Sequence, residues 1–307
     1  MLMEAGGAGS GALGGTSGSI DPDADEVLVR MHSHSVPARR ERGAPQPQRV
    51  QRARAFAMLG TSLVVGLVPT VGGELGMLPA FQRPFVERDP NLSWPIVQGS
   101  IVSATALWVL AMLLPVAAVW GTQVALARAS QRVAAAQVNA LALAVHLLSS
   151  VLLTMAATDV LKVYVGRQRP HFYAACDYAG FASKGMDAYL EATSAGAPGH
   201  LSKCLADPSA YSPQALLSFP SGHASMSFCG LGFLGLYWAW AVSTASGPRA
   251  WWGQAASTAA AAPPFLGAAL IACSRTRDGH HHFDDVAAGA ALGCVIAAAG
   301  ARASLRP

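Results

Sequence analysis

Six apolar segments constrain this chain more than any other feature of its sequence. They lie near residues 55–78, 99–127, 135–161, 223–245, 255–273 and 285–304. Each segment is long enough to cross a hydrocarbon core of ~30 Å as a helix that rises ~1.5 Å per residue. Charged residues make up only 12% of the chain, against roughly 25% in a soluble domain. The pattern therefore predicts an all-α integral membrane bundle of six transmembrane helices.

The residues before the first segment have a different composition. They are rich in Gly, Ser, Ala, Pro and Arg and contain no long apolar run. Such a segment cannot bury enough apolar surface to offset the entropy of ordering it. Residues 1–54 are therefore predicted to form a disordered tail, and residues 55–307 a six-span domain.

The placement of arginines predicts the orientation. Six arginines lie between residues 39 and 54, and Arg128, Arg132 and Arg249 follow on the same side of the predicted membrane. The positive-inside rule puts this side, with both termini, in the cytoplasm. Loops 162–222 and 274–284 then face the lumen or the exterior. The sequence has no basic stripe with interleaved aromatic residues, so nucleic acid is not an expected partner.

Three polar stretches lie in these two loops. They are Lys162-Val-Tyr-Val-Gly-Arg-Gln-Arg-Pro170, Pro220-Ser-Gly-His223 and Ser274-Arg-Thr-Arg-Asp-Gly-His-His-His-Phe-Asp-Asp285. Lys162 and Arg169 are seven residues apart, so they would point the same way if the helix continued. Arg275 adds a planar donor that matches phosphate geometry. The N–H groups of Ser221 and Gly222 precede a helix, where they suit a phosphate oxygen. Together the stretches predict a phosphate site.

Histidine and aspartate supply the chemistry. His281 and Asp285 are one helical turn apart, so the carboxylate can hold one imidazole nitrogen while the other attacks phosphorus. His223 can protonate the leaving alkoxide and then activate water. The cations neutralise the phosphoryl oxygens in the transition state. The scheme therefore requires no metal and no cofactor.

The three stretches resemble the signature of the type 2 phosphatidic acid phosphatase superfamily, which reads K-x6-R-P, P-S-G-H and S-R-x5-H-x3-D. Every signature residue is present. The resemblance covers about residues 55–304 and is nearest to lipid phosphate phosphatases of plants and fungi. Those enzymes act on phosphatidic acid, lysophosphatidic acid and diacylglycerol pyrophosphate. The resemblance implies phosphate binding by Lys162, Arg169, Ser221, Gly222 and Arg275, general acid catalysis by His223, and a His281 nucleophile oriented by Asp285.

The histidine run also allows other readings. His280 with Asp284 has the same spacing, although only His281 with Asp285 also lies five residues after Ser274-Arg275. A metal site formed by His280, His282 and Asp284 is a further alternative. Arg167 falls outside the signature and is expected to contact a headgroup or a loop.

Cys176 and Cys204 lie in a loop predicted to face the lumen, where disulfides form. Their positions also look similar to those of the family. We expect a disulfide between them, with free thiols as the alternative. It would contribute on the order of 3 kcal/mol through chain entropy.

The expected function is that of a metal-independent lipid phosphate phosphatase that hydrolyses the phosphomonoester of phosphatidic acid through a phosphohistidine. Lysophosphatidic acid and diacylglycerol pyrophosphate are further expected substrates. Polyprenyl or dolichyl pyrophosphates and sphingoid phosphates are alternatives, and a non-catalytic transporter or scaffold is the alternative of another class. The expected partners are the bilayer and its lipids, in the endoplasmic reticulum or the plasma membrane. Small residues from Ala287 to Gly300 also permit homo-oligomerisation.

Overall fold

The computed structural model describes residues 48–74, 81–129, 138–211, 214–246 and 251–305. The predicted tail lies outside the described residues up to position 47. Six long helices dominate: α1 (Gln48–Glu74), α2 (Ala104–Ala129), α3 (Ala140–Val165), α4 (Gly222–Ser246), α5 (Trp251–Arg277) and α6 (Phe283–Leu305). The shorter helices are Pro90–Leu92, Phe172–Cys176, Met186–Ala192, Leu201–Lys203, Pro208–Tyr211 and Gln214–Leu216. In these ranges the chain forms no β-strand, only the isolated bridges Val86–Pro198 and Tyr178–Cys204.

Five of the long helices, α2 to α6, are long and apolar enough to cross a membrane. Helix α1 comes from the first predicted segment and is not among the five helices found in the described part of the chain. The last predicted positions of that segment, 75–78, lie outside the described residues. The all-helical membrane bundle is therefore confirmed, and the chain is a multi-pass membrane protein.

Helix α4 occupies the centre of the bundle. It packs against α2, α3, α5 and α6, and its Phe233 and Tyr237 are fully buried. Helix α1 lies along α3, where Ala55 packs against Ala142 and Val145. The central position of α4 means that a residue at its first turn is surrounded by the ends of its neighbours.

Two helix boundaries differ from the prediction in a way that shapes this end of the bundle. Helix α5 continues to Arg277, so Arg275 lies in its last turn rather than in the following loop. Helix α2 begins at Ala104 rather than near 99, because Ser103 caps it by accepting a hydrogen bond from the Ala106 N–H. Residues 99–103 are thereby left outside the helix as a connecting strap.

The connections between α1 and α2 and between α3 and α4 share a common core at this end. Phe85 from the first connection packs edge-on against Phe172 and Tyr178 from the second. Glu87 is buried and accepts hydrogen bonds from Lys203 Nζ at 2.7 Å and from the Tyr178 hydroxyl at 2.9 Å. We call this aromatic and polar unit the cap.

A disulfide joins Cys176 and Cys204 within the cap. Cys176 is fully buried in the aromatic core, next to Phe172 and Tyr178. The bond therefore ties the two ends of the 176–204 loop to the same core.

Candidate active site

The three polar stretches converge at the end of the bundle where α3 and α5 end and α4 and α6 begin. The Thr158 and Ser225 hydroxyls are 2.8 Å apart and connect α3 to α4. The Ser221 N–H donates to the carbonyl oxygen of Asp285 at 3.0 Å and connects α4 to α6. Gly289 makes the second contact possible, since a Cβ there would lie 2.5 Å from the Ser221 carbonyl oxygen. Residues more than 120 positions apart in the chain thus share one site.

Lys162 lies in the last turn of α3 and reaches the start of α4. Its Nζ is 3.5 Å from the position that a Cβ on Gly222 would occupy. The same Nζ is 3.9 Å from Asp159, the pairing that the spacing of these two residues suggests. The absence of a side chain at Gly222 therefore leaves room beside this ammonium group.

Arg169 arrives from a loop, not from the helix that the seven-residue spacing suggested. Helix α3 ends at Val165, because Gly166 adopts a left-handed conformation with φ of 56° and caps it. Instead, the backbone N–H of Arg169 donates a hydrogen bond to the carbonyl oxygen of Ala215. Repulsion from Arg275 adds to burial in lowering the pKa of Arg169 to about 10. The positive charge of Arg275 therefore acts on the Arg169 guanidinium.

Arg275 is almost fully buried, with 3% of its surface exposed. Its Nη1 donates to Asp278 at 3.0 Å and to the Val102 carbonyl oxygen at 3.2 Å. Its Nε is buried and has no partner in the structure. A buried donor without a partner is costly, so this side chain is suited to an additional anionic acceptor.

The start of α4 provides fewer free N–H groups than the sequence suggested. Ser221 uses its N–H for Asp285, so this group is not available to a phosphate. The helix begins at Gly222, whose N–H and that of His223 belong to the first turn. A helix N-terminus of this kind favours an anion, and the anion would be held by Gly222 and His223 rather than by the Ser221 backbone.

Asp285 is fully buried and is held from several directions. Its Oδ2 accepts hydrogen bonds from the Ser218 hydroxyl at 2.6 Å and from the His282 N–H at 2.9 Å. The same oxygen lies 3.7 Å from His281 Nδ1. His281 is itself only 5% exposed. The carboxylate therefore faces Nδ1, and Nε2 is the ring nitrogen that remains for chemistry.

His223 lies across the site at the first turn of α4. Its Nε2 is 3.1 Å from the Val102 carbonyl oxygen, which can only accept, so Nε2 carries the proton in this contact. The same carbonyl accepts from Arg275. The strap at 99–103 therefore fixes the tautomer of His223 and leaves Nδ1 as its second functional nitrogen.

The structure separates the two possible His–Asp pairs. His280 stacks edge-on against His171, with ring centroids 5.2 Å apart, and lies 3.4 Å from the Ser100 hydroxyl. Asp284 is largely exposed and pairs with Arg167. His280 and Asp284 thus face different partners, whereas His281 and Asp285 face each other. In the described part of the chain, no three His, Cys, Asp or Glu side chains are grouped as metal ligands would be.

Burial keeps two histidines of this loop, His280 and His281, neutral. It lowers the pKa of His281 to about 4; the adjacent Asp285 carboxylate raises this pKa, and Arg169 and Lys162 lower it. Burial and the nearby guanidinium groups lower the pKa of His280 to about 3. An unprotonated imidazole is the form that can act as a nucleophile, and His281 is in this form at neutral pH.

Arg167 occupies a position that sequence reasoning missed. We expected a headgroup or loop contact, but its Nη1 lies 2.8 Å from Oδ1 of Asp285. Ser218 was not among the predicted site residues, and its hydroxyl donates to the other oxygen of the same carboxylate. The Ser218 N–H also donates to the Arg167 carbonyl oxygen. The signal available in the sequence was proximity to the signature, since each residue lies within three positions of it.

The chain is similar in sequence to known proteins over the part that contains the three polar stretches. Residues 143–306 match the family described as the PAP2 superfamily. Lipid phosphate phosphatase 1 of Arabidopsis thaliana is 36% identical over 152 residues, which are 50% of this chain and 41% of that protein. Diacylglycerol pyrophosphate phosphatase 1 of Saccharomyces cerevisiae is 29% identical over 217 residues, 71% of this chain and 69% of that protein.

A probable diacylglycerol pyrophosphate phosphatase 1 of Schizosaccharomyces pombe is 33% identical over 151 residues, 49% of each chain. The chain thus spans about half the length of several relatives that it matches. No solved structure is detectably similar to it. The family match covers more than half of the chain and includes all three polar stretches, so this chain belongs to the PAP2 superfamily.

Proposed function

We propose that this chain is a metal-independent lipid phosphate phosphatase that releases phosphate from phosphatidic acid. The observation that carries the proposal is the buried pair of His281 and Asp285 facing a cluster of three cations. The relatives named as lipid phosphate phosphatases and diacylglycerol pyrophosphate phosphatases support a lipid substrate.

In the first step, Nε2 of His281 attacks phosphorus and the bond to the lipid oxygen breaks. His223 gives its Nδ1 proton to the departing oxygen, which leaves as a neutral alcohol. This role requires His223 to be protonated when substrate is bound, and the phosphate dianion favours that form. Lys162, Arg169 and Arg275 neutralise the charge on the phosphoryl oxygens.

In the second step, water attacks the phosphohistidine. His223 removes a proton from this water, and phosphate leaves as His281 becomes neutral again. Asp285 faces Nδ1 throughout and stabilises the positive charge that the ring carries while it holds phosphate. No step requires a metal, because the three cations take the neutralising role.

Phosphate release from phosphatidic acid in detergent micelles with excess EDTA tests the proposal. We expect release by the wild type and none by His281→Ala, whereas the exposed His200→Ala serves as a matched control with normal release. A labelled, acid-labile phosphoenzyme should form in the wild type and not in His281→Ala. Release that depends on added metal, or that persists in His281→Ala, would contradict the mechanism.

Diacylglycerol pyrophosphate is the second substrate that we propose. The S. cerevisiae relative carries this substrate in its name and matches 71% of the chain. A panel that adds polyprenyl pyrophosphate and sphingoid phosphate ranks the substrates. If the wild type released phosphate from none of them, the non-catalytic reading would replace ours.

The site is proposed to face the lumen or the exterior, in the endoplasmic reticulum or the plasma membrane, with both termini in the cytoplasm. The disulfide in the cap supports this, because such bonds persist in oxidising compartments. A glycosylation acceptor placed in the exposed 183–187 segment should be modified in microsomes, and lack of modification would reverse the proposed orientation. Homo-oligomerisation remains a prediction. Two of the small residues that suggested it, Gly289 and Gly293 of α6, face α4 within the bundle.

A further inference from the structure

An apolar groove runs along the bundle on the side of α2, α4 and α5. It has a volume of about 430 Å³. Its walls carry no polar side chain able to accept or donate except the Trp238 indole, and they include Leu110, Leu231, Leu234 and Gly267. Leu110 belongs to a π-helical segment, Val109–Leu113, that interrupts α2. Such segments widen a helix locally and are frequent at functional sites.

The groove lies on the same helix faces as two residues of the active site. Leu234 follows His223 by eleven residues, about three turns, and so shares its face of α4. Pro264 precedes Arg275 by eleven residues and shares its face of α5 in the same way. Ile271, another lining residue, is one turn from Arg275. The groove therefore begins ~6 Å from the level of Arg275 and extends to ~17 Å from it, at ~1.5 Å per residue.

The groove also lies on the side from which the leaving group must depart. In-line phosphoryl transfer puts the attacking and leaving atoms on opposite sides of phosphorus. His281 attacks, so the lipid oxygen leaves on the side of His223, whose helix forms one wall of the groove. The cavity beside His281 is a different one of about 390 Å³, and its lining includes polar groups such as Asn91 and Asp284.

We propose that this groove holds an acyl chain of the phosphorylated lipid whose phosphate is bound by the active site. This inference rests on the proposed phosphatase function. It adds the position that the diacylglycerol part of the substrate occupies when it leaves. Cations at one end and apolar walls below them complement a molecule with an anionic head and a hydrocarbon tail. Because lipid tails are as apolar as leucine, the groove gains little hydrophobic free energy. Its effect is to orient the ester oxygen toward His223.

The substitution Gly267→Leu fills the groove. A Cβ on Gly267 would lie 3.6 Å from Cδ1 of Leu231, an ordinary contact, so the added side chain projects into the groove without clashing with the backbone. We expect the ratio of kcat/KM for dioleoyl to dibutanoyl phosphatidic acid to fall by about tenfold or more, the order that small misplacements of a substrate cause. Butanoyl chains are too short to reach Gly267. Ala299→Leu, in a separate apolar groove of about 460 Å³, is the matched control and should leave the ratio unchanged.

An unchanged ratio in Gly267→Leu would overturn the inference while the proposed phosphatase function stands. Failure of the wild type to release phosphate from either lipid would instead reject the function itself. A second measurement does not require the Gly267→Leu variant to fold. Phosphatidic acid with a photoreactive acyl chain is crosslinked to His281→Ala, and the labelled peptides are mapped.

Labels on the segments around Leu231 and Leu270 that unlabelled phosphatidic acid displaces, but phosphatidylcholine does not, would support the inference. Equal displacement by both lipids would mean that the groove is covered by ordinary bilayer lipid, and would overturn it.

Discussion

Replacement of Arg167 by alanine is expected to lower kcat/KM by about 10- to 150-fold. Arg167 donates to Oδ1 of Asp285 at 2.8 Å, and this carboxylate is fully buried. A hydrogen bond to a charged group contributes about 1.5–3 kcal/mol, which corresponds to the stated range if the whole loss falls on the transition state. Without Arg167, Oδ1 is left without its cation, and the carboxylate is free to turn away from His281.

The assay is phosphate release at varied concentrations of phosphatidic acid in mixed micelles. We expect the loss in kcat with little change in KM, because Arg167 acts through Asp285 and not on the bound phosphate. Arg167→Lys should recover part of the rate, since it restores the charge but not the planar geometry. Folding is monitored by thermal unfolding of each variant.

Asp284→Asn provides the matched control. Asp284 is the other carboxylate that Arg167 contacts, and it is largely exposed. Its substitution removes that ion pair and leaves Asp285 untouched, so kcat should stay within about twofold, as expected for an exposed pair. If Arg167→Ala had no greater effect than Asp284→Asn, the positioning role of Arg167 would be refuted.

Three further results are expected. The melting temperature should fall as the pH decreases from about 6.5 toward 4. In this range the unfolded chain binds a proton at His281, whereas the folded protein, in which the pKa of His281 is about 4, does not bind it. The substitution His281→Gln should reduce this pH dependence of the melting temperature, measured by scanning calorimetry. Replacing Cys176 and Cys204 together by serine should destabilise the protein by about 3–4 kcal/mol, the chain entropy of a loop of this length, and an unchanged melting temperature would contradict this. Ser218→Ala should lower kcat about tenfold or more at constant KM, the effect of one hydrogen bond to the charged Asp285 carboxylate, and wild-type kinetics would contradict it.

The sequence was sufficient for the bundle and for the residues that converge. Apolar length predicted the helices, since a helix in lipid satisfies its own backbone groups and its span is set by the bilayer. The placement of Lys162, His223 and Asp285 at one end follows from alternating helix directions. The length of an apolar segment and the direction of its helix are local properties of the chain. They can be predicted without knowing which helices pack against each other.

The contacts that fix the site were not predictable in this way. Two of the donors on the Asp285 carboxylate, Arg167 and Ser218, come from a different connection of the chain, and no periodicity links them to Asp285. The Val102 carbonyl oxygen that contacts His223 is a backbone group, so the side chain at that position carries no signal. The seven-residue spacing left open whether the helix continues to Arg169, and Gly166, which adopts a positive φ, ends α3 at Val165.

The close approach of α6 to α4 has a consequence for how this protein can vary. A Cβ at Gly289 would lie 2.5 Å from the carbonyl oxygen of Ser221, just before α4, and a Cβ at Gly293 would lie 2.2 Å from that of Ser225 in α4. The distance between the helix that follows the proposed nucleophile, His281, and the helix that carries the proposed general acid, His223, is therefore set by contacts of backbone with backbone. Substitutions on α2 and α5 can reshape the lipid-facing surface without altering that distance. Under the proposed function, the lipid-facing surface can therefore change while the phosphate site stays the same, so that one phosphate site can serve different hydrocarbon chains.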